Sequence, residues 1–251
     1  MITFTEVSKT YTRELFQKQA PALQRLSFHL QAGQTLGLIG ANGAGKSTSI
    51  RLIMDFIRPS QGRVELFGQP AANLHRRGSI GYLPETASFP ANLSVLDLIR
   101  FTATTCGLDK KTRRERSERL LHDLGLWEAR ARRLRTYSKG MQQRANFVLA
   151  LMNDPELLIL DEPMSGLDPI GRGQIIELIQ SLKQQGKTIL FCSHILGDVD
   201  RLVDRLLVLD RGQTLFQGLP VDFVSREQSD SVESAYLACI RRHREEKTHA
   251  A

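Results

Sequence analysis

The sequence has few cysteines, lacks long apolar runs and shows no segment at its start that resembles a secretory signal. Its 251 residues include three cysteines, Cys106, Cys192 and Cys239, which are widely separated and odd in number. Such usage argues against a disulfide framework or a cysteine metal cage, and it is typical of a reducing compartment. No stretch approaches the ~20 apolar residues that a bilayer-spanning helix needs, and the first residues show no basic region followed by an apolar run. We therefore expect a cytoplasmic chain without a membrane span or secretory signal.

The composition also excludes a disordered chain. Apolar residues make up 41% and charged residues 24% of the sequence, which suits one large globular domain or two small ones. The net charge is +7, and most of it falls between Lys110 and Arg135, where ten basic residues accompany four acidic ones. Such a basic segment fits nucleic acid, a membrane surface, an acidic partner or a solvated helix face, and charge alone favours the last.

Apolar periodicity predicts an α/β fold. Early strands alternate apolar and polar residues, which is typical of an antiparallel sheet with one wet face, whereas LLIL and TILFC are typical of buried parallel strands. The predicted strands lie near residues 2–7, 23–30, 35–39, 63–67, 80–83, 157–160, 188–192, 205–209 and 214–217. The predicted helices lie near 46–56, 95–105, 111–124, 139–152, 170–184 and 198–202.

These elements predict one domain over residues 1–251. Residues 1–85 and 154–217 would form an α/β core with an N-terminal antiparallel β-subdomain. The nearly all-helical stretch 86–153 would be an inserted α-helical subdomain, and the tail 218–251 would contain one helix at 232–246.

Residues 40–48 read GANGAGKST and match the phosphate-loop pattern G-x-x-x-x-G-K-[ST] between a strand and a helix, the arrangement of a P-loop ATPase core. Its glycines let loop N–H groups converge on phosphate oxygens beside the positive end of the helix. Lys46 would contact the β- and γ-phosphates of ATP, and Ser47 would ligate Mg²⁺. The nucleotide contacts predicted from the loop are Gly40, Asn42, Gly43, Ala44, Gly45, Lys46, Ser47 and Thr48.

A second signal is the acidic pair that follows the apolar run LLIL. Asp161 and Glu162 come at the carboxyl end of a predicted buried strand, the edge where open α/β sheets bind ligands. Because adjacent strand residues point to opposite faces, the two carboxylates can take different roles. Asp161 would hold Mg²⁺, and Glu162 would orient or deprotonate the attacking water.

With these motifs, about residues 1–217 resemble the ATP-binding subunits of ABC transporters. SGLD at 165–168 resembles the family's D-loop, and His194, after the strand TILFCS, takes the place of its switch histidine. YSKGM at 137–141 resembles the signature segment, usually LSGGQ, and matches it at Ser138 and Gly140. This form and GYLPE at 81–85 are similar to those of ABC-2-type, exporter-like members.

The resemblance implies a composite site. The signature segment would contact ATP bound to the other protomer, and Ser138 would cap the helix that follows it. Two phosphate loops completed in this way imply a head-to-tail dimer, formed by two copies or with a paired ABC ATPase subunit. His194 would donate to the γ-phosphate. The further nucleotide contacts implied are Ser138, Gly140, Asp168 and Tyr11, an aromatic placed to stack on adenine. The alternatives are that Phe16 is the stacking ring or that neither is.

Two residues depart from the family pattern at positions that contact the nucleotide, Mg²⁺ or the attacking water. Glu85 stands where the family usually has a glutamine that touches Mg²⁺ and the attacking water. An ionised carboxylate is an oxygen ligand but cannot donate a hydrogen bond. Met141 likewise replaces an amide that could reach the nucleotide.

The function implied is that of an ATP-hydrolysing subunit that drives a separate transmembrane permease, of exporter type, from the cytoplasmic face of the membrane. Phe89, Pro90 and Leu93 would line the groove for that partner or, equally, close their own subdomain's core. An alternative is a soluble ABC-type ATPase acting on nucleic acid or ribosomes, although no nucleic-acid partner is expected for a single module. A subunit that binds ATP but turns over poorly is a third reading.

Overall fold

The structure is a computed structural model, and it describes residues 1–11, 21–86, 88–194 and 196–249. The strands are β1 (Ile2–Lys9), β2 (Leu23–Leu30), β3 (Thr35–Ile39), β4 (Gln61–Leu66), β5 (Gln69–Pro70), β6 (Ile80–Leu83), β7 (Leu157–Asp161), β8 (Thr188–Ser193), β9 (Arg205–Asp210) and β10 (Gln213–Gly218). The helices are α1 (Lys46–Ile53), α2 (Val95–Thr105), α3 (Lys110–Asp123), α4 (Lys139–Leu151), α5 (Pro169–Gln184), α6 (Val199–Leu202), α7 (Pro220–Arg226) and α8 (Val232–His249).

The chain forms two compact units. Unit 1 comprises Met1–His75 and Thr188–Ala251, and unit 2 comprises Arg76–Lys187. The predicted helical subdomain, 86–153, therefore lies inside unit 2 together with β6, β7 and α5. None of the helices in the described ranges combines the length and the apolar character needed to cross a membrane.

The antiparallel sheet of unit 1 has the strand order β2-β1-β4-β5. Alternate residues of β2 are buried, as the alternating pattern predicts. Phe4 of β1 pairs with Phe28 of β2, and their rings stack with centroids 4.5 Å apart. This cross-strand pair contributes to the core on one face of the sheet.

The parallel strands are buried, as their continuous apolar runs predict. In unit 1, β3 pairs in parallel with β8 on one side and β9 on the other, and β10 adds an antiparallel edge beside β9. Every residue of β3 and β8 is buried. In unit 2, β6 pairs in parallel with β7. The resulting mixture of an antiparallel sheet and parallel strands flanked by helices confirms the α/β class.

The helices of unit 2 begin at side-chain caps that the sequence supplies. Ser94 and Asp97 form a reciprocal capping box at the start of α2, and the hydrogen bonds from Ser94 lower the pKa of the Asp97 carboxyl. Asp109 caps α3 by accepting from two backbone N–H groups. Helices α2 and α3 both pack on α4, which also packs on β6. Helix α4 is therefore the central helix of this unit.

The tail corrects the prediction of a single helix after residue 218, because the structure has two. Helix α7 is only seven residues long and begins at Pro220, whose fixed φ suits the first turn of a helix. It buries Phe223, whose ring lies 4.7 Å from that of Phe216 on β10. Helix α1 is shorter than predicted and ends at Ile53, and Asp55 then adopts a left-handed φ of 59°.

Candidate functional site

The phosphate loop encloses the ammonium group of its own lysine. Lys46 is 7% exposed, and its Nζ donates hydrogen bonds to the carbonyls of Gly40, at 2.7 Å, and Ala41, at 3.4 Å. Because Gly40 begins the loop and Lys46 ends it, these bonds close the loop into a ring. The positive charge is thereby held against the loop's backbone.

Glycine is required at specific positions of this ring. Gly43 and Gly45 have φ values of 81° and 115°, which L-residues rarely adopt. A Cβ at Gly40 would lie 2.5 Å from the carbonyl oxygen of Leu209, so β9 leaves no room for a side chain there. The loop can therefore bring its backbone close to a ligand.

The start of helix α1 is suited to an anion. The helix follows Gly45, which has no side chain to accept a hydrogen bond from the first N–H groups. Its first turn, within the described residues, carries no acidic side chain. The first N–H groups of the helix and the Lys46 ammonium are donors of the kind that bind phosphate. The residues present thus fit a nucleoside triphosphate.

Tyr11 lies beside this loop. Its hydroxyl is 3.2 Å from the hydroxyl of Thr48, and the Lys9 ammonium lies 5.6 Å from its ring centroid. The side chain is exposed, so a face of the ring is accessible. Stacking on adenine stays a prediction, and the alternative ring, Phe16, lies outside the described residues.

His194 leaves the parallel sheet of unit 1 at the edge where the phosphate loop begins. Ile39 of β3 is the register partner of Ser193 of β8, so Gly40 and His194 are the next residues on adjacent parallel strands. His194 is exposed. The position fits the proposed hydrogen bond to a γ-phosphate, which stays a prediction.

In unit 2, the acidic pair marks a sharp turn of the chain. Asp161 is the last residue of β7, and Glu162 follows with a left-handed φ of 50°; both are buried. The backbone N–H of Ser165 donates to the Glu162 carbonyl at 3.0 Å and closes the turn. The sequence reasoning assumed that strand alternation extends to Glu162. It does not, because the strand ends at Asp161. The direction of the Glu162 side chain is set by this turn.

The signature segment of unit 2 lines a cavity. Ser138 caps α4, as predicted, by accepting from the N–H of Met141 at 3.2 Å. A cavity of about 450 Å³, called here the signature cavity, adjoins this helix end. Its lining residues include Ser138, Lys139, Gly140, Arg144, Gly166 and Asp168. The cavity thus combines two cationic side chains with the N-terminal end of a helix.

Asp168, a predicted nucleotide contact, and Lys139 both have structural partners within unit 2. The Asp168 carboxylate caps α5 by accepting from the N–H of Gly171 at 2.7 Å. The aliphatic chain of Lys139 passes over Gly166, where an added Cβ would lie 2.9 Å from the lysine Cγ. Gly166 has a φ of 75°. The D-loop and the signature segment are therefore in direct contact.

The predicted magnesium ligands are oxygen donors divided between the units. Ser47 belongs to unit 1, and Asp161 and Glu85 belong to unit 2. A hydroxyl and carboxylates are ligands of the type that Mg²⁺ prefers. Glu85 is exposed in a bend after β6. No three His, Cys, Asp or Glu side chains in the described ranges group closely enough to hold a metal ion by themselves.

Sequence reasoning missed two buried amides on α4. Gln143 donates to the carbonyl of Pro163 at 3.0 Å, and Asn146 donates to the carbonyl of Pro84 at 3.2 Å. The signal for them was present, because they are polar residues three apart on a helix face that otherwise buries Phe147 and Ala150.

Sequence reasoning also missed Tyr236, which lies in helix α8 of the tail. The phenolic oxygen of Tyr236 faces the backbone N–H of Ala41 in the phosphate loop, and burial raises the pKa of the phenol. Helix α8 packs against the one-turn segment Leu196–Asp198, which follows His194 closely. The tail of unit 1 therefore contacts the region of the site.

Known proteins share both the sequence and the fold. The sequence profile of the family described as ABC transporter matches residues 23–165. An uncharacterised ABC transporter ATP-binding protein of Synechocystis is 41% identical over 230 residues, which cover 90% of this chain and 65% of that relative. The linearmycin resistance ATP-binding protein LnrL of Bacillus subtilis is 31% identical, with 96% of this chain and 79% of that protein covered. The chain thus spans less than two thirds of the Synechocystis relative.

Two solved structures agree. The first, described as the ATP-binding subunit of an ABC transporter, has a TM-score of 0.86 and 28% identity, and covers 95% of this chain and 99% of its own. The second, a dimeric bacterial ABC transporter cassette, MJ0796, has a TM-score of 0.79 and 25% identity, with coverages of 87% and 98%. The resemblance to the ATP-binding subunits of ABC transporters is thereby confirmed, and this chain belongs to the ABC transporter family of ATP-binding proteins.

Proposed function

We propose that this chain binds and hydrolyses ATP as a dimer and drives transport through a separate transmembrane permease. The observation that carries the proposal is the phosphate loop, in which Lys46 is enclosed by loop carbonyls ahead of an open helix end. This arrangement concentrates positive charge and N–H donors on one small region. A triphosphate is the ligand that matches both its charge and its hydrogen-bonding demand.

The predicted roles follow from the chemistry of each side chain. Lys46 and the loop N–H groups bind the β- and γ-phosphates, and His194 donates to the γ-phosphate. Glu162 orients the attacking water and accepts its proton. Ser47, Asp161 and Glu85 would hold Mg²⁺, which neutralises phosphate charge when bound.

The signature cavity supports the proposed dimer. Lys139 and Arg144 give its lining a positive character, and Ser138 begins the helix that points its N-terminus at it. These donors suit phosphate oxygens, as those of the phosphate loop do. The signature cavity belongs to unit 2 and the phosphate loop to unit 1. We therefore propose that ATP held by one protomer is completed by the signature cavity of the other. The relative MJ0796 is described as dimeric.

The surface for the permease is proposed to lie on unit 2. Phe101 of α2 is 71% exposed, and a hollow of about 510 Å³ is lined by residues of β6, α2 and α4, among them Tyr82, Thr105 and Leu149. The predicted contact residues lie apart from this hollow. Phe89 is half-buried in a smaller one with Leu134.

Pro90 and Leu93 are exposed. They remain candidates for the same surface, together with Phe101. An exporter role is proposed because the relative LnrL is named for linearmycin resistance and another relative for Nod factor export. A location on the cytoplasmic face of the membrane follows from the proposed partner.

The proposal is tested with the purified chain, Mg²⁺ and ATP. We expect ATP hydrolysis that Lys46→Ala and Glu162→Gln each reduce at least a hundredfold. Glu162→Gln should also accumulate as a dimer in ATP, measured by light scattering after gel filtration. Unchanged hydrolysis in Glu162→Gln would contradict the choice of catalytic base, and a monomer at saturating ATP would contradict the composite site.

The nucleic-acid alternative is disfavoured by how the basic segment is used. Arg116 donates to the Met152 carbonyl and lies 3.9 Å from Asp154, while the Arg130 guanidinium stacks 3.8 Å from the centroid of the Trp127 ring. These cations therefore have partners within unit 2. Tight RNA or DNA binding that weakens steeply with salt, measured by gel shift, would support that alternative instead.

A further inference from the structure

Helix α4 carries two amide side chains where an apolar core is expected. Gln143 is 3% and Asn146 5% exposed, on the same face as the fully buried Phe147. Each amide has a backbone partner that lies far away in sequence. Gln143 reaches Pro163, 20 residues later, and Asn146 reaches Pro84, 62 residues earlier. Both amides therefore join α4 to loops outside the helix.

The two loops carry Glu162, the predicted catalytic carboxylate, and Glu85, a predicted magnesium ligand. Pro163 directly follows Glu162, and Pro84 directly precedes Glu85. The turn at Glu162 is backbone-strained, since a φ of 50° is uncommon for a residue with a side chain. The bond from Ser165 fixes the Glu162 carbonyl, and the bond from Gln143 fixes the carbonyl that follows it. The Gln143 amide thus helps to hold Glu162 in an unfavourable conformation.

The same helix begins at the signature segment. Ser138 caps α4 five residues before Gln143, a separation of about 7.5 Å along a helix. Both amides lie within about two turns of Ser138 on the same helix, so α4 connects the signature segment with the two loops. An isosteric apolar residue would fill the same space but would leave the Pro163 carbonyl without this donor.

We propose that Gln143 and Asn146 are positioning residues that tie the signature end of α4 to the placement of Glu162 and Glu85. The inference rests on the proposed function and extends it. Nucleotide seated at the signature cavity orients α4, and the two amides set the Glu162 and Glu85 loops accordingly. Hydrolysis is thereby made to depend on an occupied signature cavity, and nucleotide affinity at the phosphate loop is not.

The test compares two glutamines of unit 2. Gln143→Met keeps the length of the side chain and removes the amide. Gln185→Met is the control, because the exposed Gln185 amide bonds at 3.1 Å to Ser181, away from the signature segment and from both loops. We expect Gln143→Met to lower kcat for ATP at least tenfold while KM changes less than threefold, and Gln185→Met to change both less than threefold. A folded Gln143→Met with wild-type kcat would overturn the proposal.

A second variant guards against simple loss of folding. Gln143→Glu keeps the shape, but only its protonated form can donate to the Pro163 carbonyl. The ratio of its kcat to that of the wild type should therefore rise as pH falls, by threefold or more across the carboxyl titration. A ratio that stays flat with pH in a folded Gln143→Glu would contradict the positioning role, since a role in packing alone predicts that result.

The failure of this inference is distinguishable from that of the proposed function. Lys46→Ala is measured in the same series. If Lys46→Ala hydrolyses ATP as the wild type does, the ATPase proposal itself fails. If Lys46→Ala is inactive while Gln143→Met and Asn146→Leu both retain full kcat, only the positioning role is wrong.

Discussion

The ammonium group of Lys46 donates a 2.7 Å hydrogen bond to the carbonyl of Gly40, the first residue of the same loop. This bond joins the two ends of the loop and holds the loop backbone in one shape. It also gives the lysine two separable roles, one in shaping the loop and one in binding charge.

Lys46→Met should raise the dissociation constant for ATP by one to two orders of magnitude. The variant keeps much of the buried aliphatic chain but removes both the loop hydrogen bonds and the charge that faces phosphate. Titration with a fluorescent ATP analogue measures the effect. Lys111→Met, on exposed α3, is the control and should bind as the wild type does. Equal affinities for the two variants would remove Lys46 from the nucleotide site.

Tyr11 offers a test of base stacking. Tyr11→Ala should weaken nucleotide binding about tenfold, because an aromatic stack contributes roughly 0.5–1.5 kcal/mol beyond area burial. Tyr11→Phe keeps the ring and loses the hydroxyl that contacts Thr48, so its affinity should stay within threefold of the wild type. If Tyr11→Ala binds normally, the stacking ring is elsewhere, and Phe16→Ala is the next variant to titrate.

The phosphate loop was predictable because its whole geometry is local. Strand, glycine loop, lysine and helix are contiguous, and the structure places them as the spacing of residues 35–53 indicates. The close approach of Gly40 to the Leu209 carbonyl of β9 depends on the sheet and could not be predicted locally. It explains why glycine is needed at this position.

The contacts of Gln143 and Asn146 were not predictable in this way. Their partners lie 20 and 62 residues away, and no local pattern identifies which carbonyl a buried amide meets. The left-handed turn at Glu162 is also set by tertiary contacts, because local propensity disfavours it. Helix α7 was missed since seven residues starting at proline give too short a periodic signal.

Gly166 provides a way to separate dimer formation from nucleotide binding. Gly166→Ala should strain the backbone, because its φ is 75°, and should push the Lys139 side chain out of its place at the signature cavity. We expect the dimer that forms in ATP to weaken at least tenfold, while affinity of the monomer for ATP stays within threefold. Analytical ultracentrifugation with and without ATP measures both states.

The control for that experiment is a second glycine of unit 2. Gly173→Ala lies within α5, where an added Cβ meets nothing within 4 Å and the backbone is helical. It should leave dimer formation unchanged and stabilise the helix by about 0.5–1 kcal/mol. Weakening of the dimer by both substitutions would show that the effect of Gly166→Ala is not specific to the signature cavity.

The ion pair between Asp154 and Lys187 predicts a dependence of stability on pH. The two groups lie 2.6 Å apart, and the hydrogen bond from Lys187 lowers the pKa of the Asp154 carboxyl, helped by the charge of Arg116. A carboxyl whose pKa is lower in the folded state stabilises the fold once it is ionised. This contribution is complete above the unfolded pKa of about 3.9 and is lost as pH falls through the lowered folded value.

Asp154→Asn should therefore be less stable than the wild type by about 0.5 kcal/mol near pH 7, a small amount because the Asp154 side chain is 52% exposed. Asparagine tolerates the left-handed φ of 50° at this position, so the comparison isolates the charge. Urea unfolding from pH 7 downward measures the difference, which should shrink below pH 4. Asp230→Asn, at an exposed position, should show no such trend. A difference that persists undiminished at the lowest pH of reversible folding would assign the effect to packing, because the carboxylate has by then been neutralised.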